Sequence, residues 1–216
     1  MNQAPVARRS PSSRSLTVGA VGILAAIWLA MLVSGTGVLD RMLLDALYAA
    51  DRPALRQIAQ AVTVLGGWRA LVLFSVAGAL WLIARRRFRP AFLLIAVTLL
   101  GRMLVELQKA GVGRQRPDLE HLASVKSLSF PSGHAGNSMI LLLSLAVIAV
   151  PEKHRPWAVA LALFGTFCVG ITRPMLGVHW PSDVVGGWAF GAAWVLAMVA
   201  LAERWPARRD GGPAKR

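Results

Sequence analysis

Residues 68–109 read WRALVLFSVAGALWLIARRRFRPAFLLIAVTLLGRMLVELQK. Two apolar runs, 68–84 and 89–108, flank Arg85, Arg86, Arg87 and Arg89. A helix crosses the hydrocarbon core of a bilayer with about 20 mostly apolar residues, and fewer suffice when flanks or tilt help. Pro90 opens the second run, where its missing N–H costs a helix nothing. The stretch therefore reads as two membrane helices joined by a tight basic turn. Working outward, the same pattern recurs at 16–39, 134–150, 156–172 and 183–203. Six spans predict an all-α transmembrane bundle. The chain is 56% hydrophobic, with a mean hydropathy of +0.55, too apolar for a soluble domain of 216 residues.

The net charge is +14. On a soluble protein it would raise nucleic acid as a partner. Here most of the excess lies in short segments between apolar runs, so the expected partner is the membrane and no nucleic acid. One side receives Arg8, Arg9, Arg14, the Arg85–Arg89 turn, Lys153, Arg155, Arg204, Arg208, Arg209, Lys215 and Arg216. The positive-inside rule then places both termini in the cytoplasm of a bacterial-type inner membrane protein. Arg8, Arg9 and Arg14 before the run Leu16–Val33 imitate a signal peptide. The run is too long for one and no small-x-small site follows, so it reads as an uncleaved first span. The organisation expected is a cytoplasmic segment 1–15, one integral membrane domain 16–203 and a basic cytoplasmic tail 204–216. Trp68, Trp157 and Trp205 mark span ends, as an aromatic belt does.

Between the first two spans, Met42, Leu43, Ala46 and Leu47, then Leu55, Ile58, Ala59, Val62 and Leu65, recur at helical spacing. Two short amphipathic helices at the outer interface are expected. They read either as a packing cap over the bundle or as a lid for a lipid substrate. Arg102, Glu106 and Lys109 share one face of the third span, as a structural ion pair or as support for the Lys109 ammonium. Cys168 lies inside an apolar run and reads as a small buried hydrophobe. His121 and His154 have no matching partners. No Walker A, GxGxxG or HExxH pattern occurs.

Three polar clusters break the apolar pattern, all on the side away from the basic turns. The first runs from Lys109 through Gly111 and Gly113 to Arg116-Pro117. The second is Pro131-Ser132-Gly133-His134. The third is Thr172-Arg173, then His179 and Asp183. Together they offer the cations Lys109, Arg116 and Arg173, two imidazoles and one carboxylate, an inventory that suits a phosphate. His179 and Asp183 are four apart, so if the helix begins by His179 they share a face. Asp183 can then hold one ring nitrogen and leave the other nucleophilic. Arg173 offers a planar fork to two phosphate oxygens. Gly133 lets backbone approach an anion, and the amides at a helix start attract it. His134 at that start is placed to protonate a leaving oxygen. Lys109 and Arg116 complete a cationic cradle.

On these motifs, Lys-x6-Arg-Pro, Pro-Ser-Gly-His and Arg-x5-His-x3-Asp, the chain resembles the type 2 phosphatidic acid phosphatase superfamily from about Val62 to the end of the sixth span. It departs from the family at Thr172, where Ser is usual. The resemblance implies a bundle of that family's type and metal-independent hydrolysis with no cofactor. His179 would attack phosphorus and become a phosphohistidine, with Asp183 orienting it and His134 protonating the leaving group. Lys109, Arg116, Arg173 and the amides of Ser132 and Gly133 would hold the phosphoryl oxygens. It offers undecaprenyl diphosphate, phosphatidylglycerophosphate, phosphatidic acid and lipid A phosphates as substrates. The short loop between Pro117 and Pro131 favours a polyprenyl diphosphate or simple phospholipid over lipid A. A lipid phosphotransferase would use the same residues. A non-enzymatic transporter should have lost the nucleophile or the acid, and a haloperoxidase would not carry six spans. Oligomeric state is not legible in the sequence.

Overall fold

The computed structural model describes residues 13–204. Those residues form eight α-helices: α1 Ser13–Ser34, α2 Val38–Leu47, α3 Pro53–Thr63, α4 Trp68–Ala84, α5 Phe88–Val112, α6 Gly133–Ser144, α7 Arg155–Met175 and α8 Pro181–Arg204. A 3-10 turn, Val64–Gly66, joins α3 to α4, and a π turn, Leu145–Ala149, extends α6. The all-helical expectation holds, and both amphipathic helices are present as α2 and α3. The N-terminal segment before Ser13 and the tail from Trp205 onward lie outside the described residues.

By length and composition, four helical segments can cross a membrane: Ser15–Ser34, Phe88–Val112, Glu152–Met175 and Pro181–Arg204. A fifth follows if α3, the 3-10 turn and α4 form one span bent by 48°. Six were expected. The difference lies in α4, at 17 residues, and in the apolar helix Gly133–Ala149, which is too short to count by itself. The first span also ends earlier than 39: a break at residues 35–37 separates α1 from α2.

Helices α6 and α8 form the centre, with α1 against α8, α7 and α5 against α6, and α4 against α5. Small residues set the closest crossing. A methyl group on Gly187 would come within 2.8 Å of the Ser132 carbonyl, and one on Gly191 within 3.0 Å of the Gly136 carbonyl. Val97, Val105, Ile140 and Val195 fill the middle of the bundle. Two indole N–H groups tie helices together there, Trp188 to the Thr166 carbonyl at 3.1 Å and Trp194 to the Val97 carbonyl at 2.8 Å. Outward-facing Leu16, Ile23, Phe92, Trp157 and Phe164 are exposed, the inverse of a soluble surface and the pattern a lipid environment accepts. Because α5 and α7 run opposite to α6 and α8, the ends of the first pair meet the starts of the second at one end of the bundle.

Candidate active site

That shared end collects all three polar clusters. Lys109 comes from the last turn of α5, whose end is fixed by Gly113 in the left-handed conformation, φ +71°. Arg173 comes from the last turn of α7, His134 from the first turn of α6 and Asp183 from the first turn of α8. Arg116 and His179 sit on the intervening loops.

His179 is 1% exposed and Asp183 is fully buried. The His179 ring nitrogen Nδ1 lies 3.3 Å from Asp183 Oδ2 and 3.3 Å from Ser129 Oγ. A carboxylate only accepts, so the network puts the ring proton on Nδ1 and the lone pair on Nε2. Burial first, then the Arg116, Arg173 and Lys109 charges, hold the ring's pKa well below the ordinary imidazole value. Contact with Asp183 therefore does not make it an imidazolium. Helix α8 begins at Pro181, so His179 lies before the helix and not on its face. The pair meets because Asp183 folds back over the turn and accepts the Trp180 N–H at 2.9 Å.

Asp183 has two further partners that the motif reading did not single out. Ser129 Oγ donates to Oδ2 at 2.5 Å. Arg114 Nη1 donates to Oδ1 at 2.9 Å. Arg114 also donates from Nη2 to the Met31 and Leu32 carbonyls near the end of α1, both at 2.8 Å, and from Nη1 to Ser182 Oγ at 3.1 Å. Ser182 is fixed in turn by the buried carboxylate of Asp40, which accepts its N–H at 2.8 Å and its O–H at 2.5 Å. One chain of bonds thus runs from α1 and α2 to the His179–Asp183 pair. Arg114 stood in plain view within the first cluster. Ser129 and Asp40 had no spacing signal.

The cations converge. Arg116 donates to the Ser127 carbonyl at 2.7 Å, the Leu128 carbonyl at 3.3 Å and the Val178 carbonyl, and its Nη1 lies 3.2 Å from His179 Nε2. Lys109 Nζ donates to Ser127 Oγ at 3.0 Å and the Leu128 carbonyl at 3.3 Å. Its hydrogen-bond partners are thus on the loop, and Glu106 lies 3.8 Å from Arg102. Arg173 is 2% exposed, gives Nη1 to Thr63 Oγ1 at 2.6 Å, and has a buried Nε with no partner among the described residues. Thr63, at the end of α3, is a further residue the sequence did not flag.

The Ser132 hydroxyl is likewise buried without a partner among the described residues. Its N–H is not free for an anion, because it donates to the Asp183 carbonyl at 2.9 Å. The amides of Gly133 and His134, in the first turn of α6, are of the kind a helix leaves unsatisfied. The Thr172 hydroxyl turns back on its own helix, to the Val169 carbonyl at 2.6 Å. Over His134 lies the 3-10 turn: a methyl group on Gly66 would come within 3.0 Å of the His134 Cβ. A cavity of about 390 Å³ adjoins Arg116 and Trp180 and is bordered by Arg41 and Asp45 of α2. The arrangement offers one buried nucleophilic nitrogen, three guanidinium or ammonium groups around it, and two polar groups lacking partners among the described residues.

The PAP2 superfamily model matches residues 90–206. The chain is 30% identical over 145 residues to phosphatidylglycerophosphatase B of Bacillus subtilis, a match covering 65% of this chain and 71% of that protein. It is 34% identical over 121 residues to a lipid A 1-phosphatase of Rhizobium johnstonii, covering 51% of this chain and 46%, about half, of the relative. Among solved structures, a transmembrane PAP2-type phosphatidylglycerolphosphate phosphatase from Bacillus subtilis superposes with a TM-score of 0.79 at 26% identity, over 88% of this chain and 99% of that one.

Proposed function

The chain belongs to the PAP2 superfamily, and from that premise we propose that it is an integral membrane lipid phosphatase working through a phosphohistidine. The observation that carries the reading is the buried His179 ring, held at Nδ1 by Asp183 and Ser129 with its Nε2 toward Arg116. Nε2 attacks phosphorus in line, forming an N–P bond as the bond from phosphorus to the lipid oxygen breaks. His134, protonated once the bound phosphate offsets the cations around it, gives that proton to the oxygen. Water then attacks the phosphohistidine, His134 takes the water proton, and phosphate leaves as the N–P bond breaks. Lys109, Arg116 and Arg173 bear the charge on the phosphoryl oxygens, with the Ser132 hydroxyl and the Gly133 amide beside them. Unpartnered Ser132 Oγ and Arg173 Nε support an anion at this place, since buried polar groups otherwise find partners. Asp183 keeps the ring oriented and stabilises the charge it gains. These cations take the part a metal would play, and no cofactor is needed.

The substrate we propose is a polyprenyl diphosphate or a simple phospholipid bearing a terminal phosphate, such as phosphatidylglycerophosphate. The loop between Pro117 and Pro131 is too short to enclose a sugar head group, and the name of the Bacillus relative supports the phospholipid. The site faces the extracytoplasmic side, with both termini in the cytoplasm. The test is phosphate release from a panel of purified lipid phosphates by detergent-solubilised protein in excess chelator. Release from a diphosphate or phosphatidylglycerophosphate, absent in His179→Ala, is the expected result. Release that returns only with a divalent cation would overturn the metal-independent reading.

A further inference from the structure

A second anion-friendly place lies at the other end of the bundle. Helix α5 has 25 residues, so its Phe88 end is about 36 Å from its Val112 end at 1.5 Å per residue. There a cavity of about 980 Å³ opens between α5, the π turn and α8. Its walls are apolar, with Phe92 and Leu93 on one side and Met198 and Leu201 on the other. At its mouth stand Arg87, Arg89 and Arg155, with Glu203 beside them. Arg87 is pinned there by carbonyls, not by an acid: it donates to Ala149 and Ile148, each at 3.3 Å. Arg155 reaches the exposed Glu152 only at 3.6 Å, and its buried Nε has no partner among the described residues.

We propose that this groove binds one anionic phospholipid, its acyl chain between α5 and α8 and its phosphodiester at the arginines. The groove lies among helices read as membrane-spanning, so acyl chains are the apolar matter at hand. A basic pocket between transmembrane helices is the setting in which acidic head groups are held. Arg87, held by carbonyls, and the Arg155 Nε, unpartnered among the described residues, select an anion over a zwitterion. Among the described residues no His, Ser, Thr or Cys lines the groove, so the lipid held there is bound and not turned over. It would bridge α5, α7 and α8 at the end away from His179. The inference stands whether or not the chain is a phosphatase.

The test is native mass spectrometry of the full chain in detergent, with phosphatidylglycerol or phosphatidylcholine of identical acyl chains. Phosphatidylglycerol has no terminal phosphate and cannot be hydrolysed as a phosphomonoester. Wild type should retain one phosphatidylglycerol in preference to phosphatidylcholine by about thirtyfold, the order that two arginines give an anionic head group. That preference should shrink as salt rises from about 0.05 to about 0.5 M. R87Q combined with R155Q should erase the preference and leave phosphate release unchanged. A202W should block retention of phosphatidylglycerol without altering charge. Equal retention of the two lipids by wild type, or a salt-independent preference, refutes the site even if no variant folds. So does an undiminished preference in the double arginine variant.

Discussion

Arg114 decides more at the residue scale than its motif neighbours foretell. Its guanidinium bonds to Asp183, to Ser182 and to two carbonyls of α1. Removing one member of a buried ion pair strands the other, at about 3–5 kcal/mol. Arg114→Gln should therefore lower kcat far more than it raises KM, and free guanidinium should restore part of kcat. Arg114→Lys should not rescue, because an ammonium cannot span both partners. An Arg114→Gln enzyme with wild-type kcat would mean that Asp183 needs no such anchor. His179 carries the second expectation. Its folded pKa lies below the ordinary imidazole value, so the ring stays neutral as pH falls through about 6.5, where an unfolded chain would protonate it. It thus supplies stability above that pH, lost as pH falls toward the lowered value. Nitrogen NMR of labelled imidazoles, assigned against His179→Ala, should show no titration of this ring near 6.5. Titration there would mean that solvent reaches it. Third, rapid quench should trap an acid-labile, base-stable phosphoenzyme, absent in His179→Ala. His134→Ala should slow turnover by about 10²–10⁴, the usual worth of a general acid. That loss should shrink for a nitrophenyl phosphate, whose leaving group needs no proton. Failure to trap any phosphoenzyme would remove His179 as nucleophile.

At the element scale, the segment between the first two spans is tied into the site rather than resting on it. The last residue of α3 gives Arg173 its hydroxyl partner, and α2 holds Ser182 through Asp40. Packing and site support thus come from the same helices, and the cap-or-lid alternative is too narrow. Thr63→Val keeps the volume and removes the hydroxyl. A hydrogen bond to a charged group contributes about 1.5–3 kcal/mol, so binding should weaken by about tenfold or more, seen mainly in KM. A KM unchanged in Thr63→Val would mean that α3 serves packing alone.

For the whole molecule, the antiparallel order of the long helices brings four helix ends and two loops together, and the arginine-rich turns fall at the far end. Cysteines introduced singly at Arg86 and Lys126, with Cys168 replaced, should give opposite labelling by an impermeant reagent in intact cells: Lys126 labelled, Arg86 protected. Labelling at Arg86 alone would invert the orientation, and labelling at both would break the count of spans between them.

Hydropathy and the three motifs made the all-α membrane class, α2 and α3, and family membership legible, because burial in lipid writes itself as long apolar runs and phosphate chemistry as cations and imidazoles at fixed spacing. Tertiary structure alone brought Asp40, Thr63 and Ser129 to that chemistry, withdrew the Ser132 amide into a bond with Asp183, and set His179 ahead of α8 instead of on it. Asp40 and Ser182 are 142 residues apart, and Thr63 and Arg173 are 110. No local pattern encodes such pairs. They exist because helices packed at their small residues leave buried polar groups that must find partners wherever the fold brings one within reach.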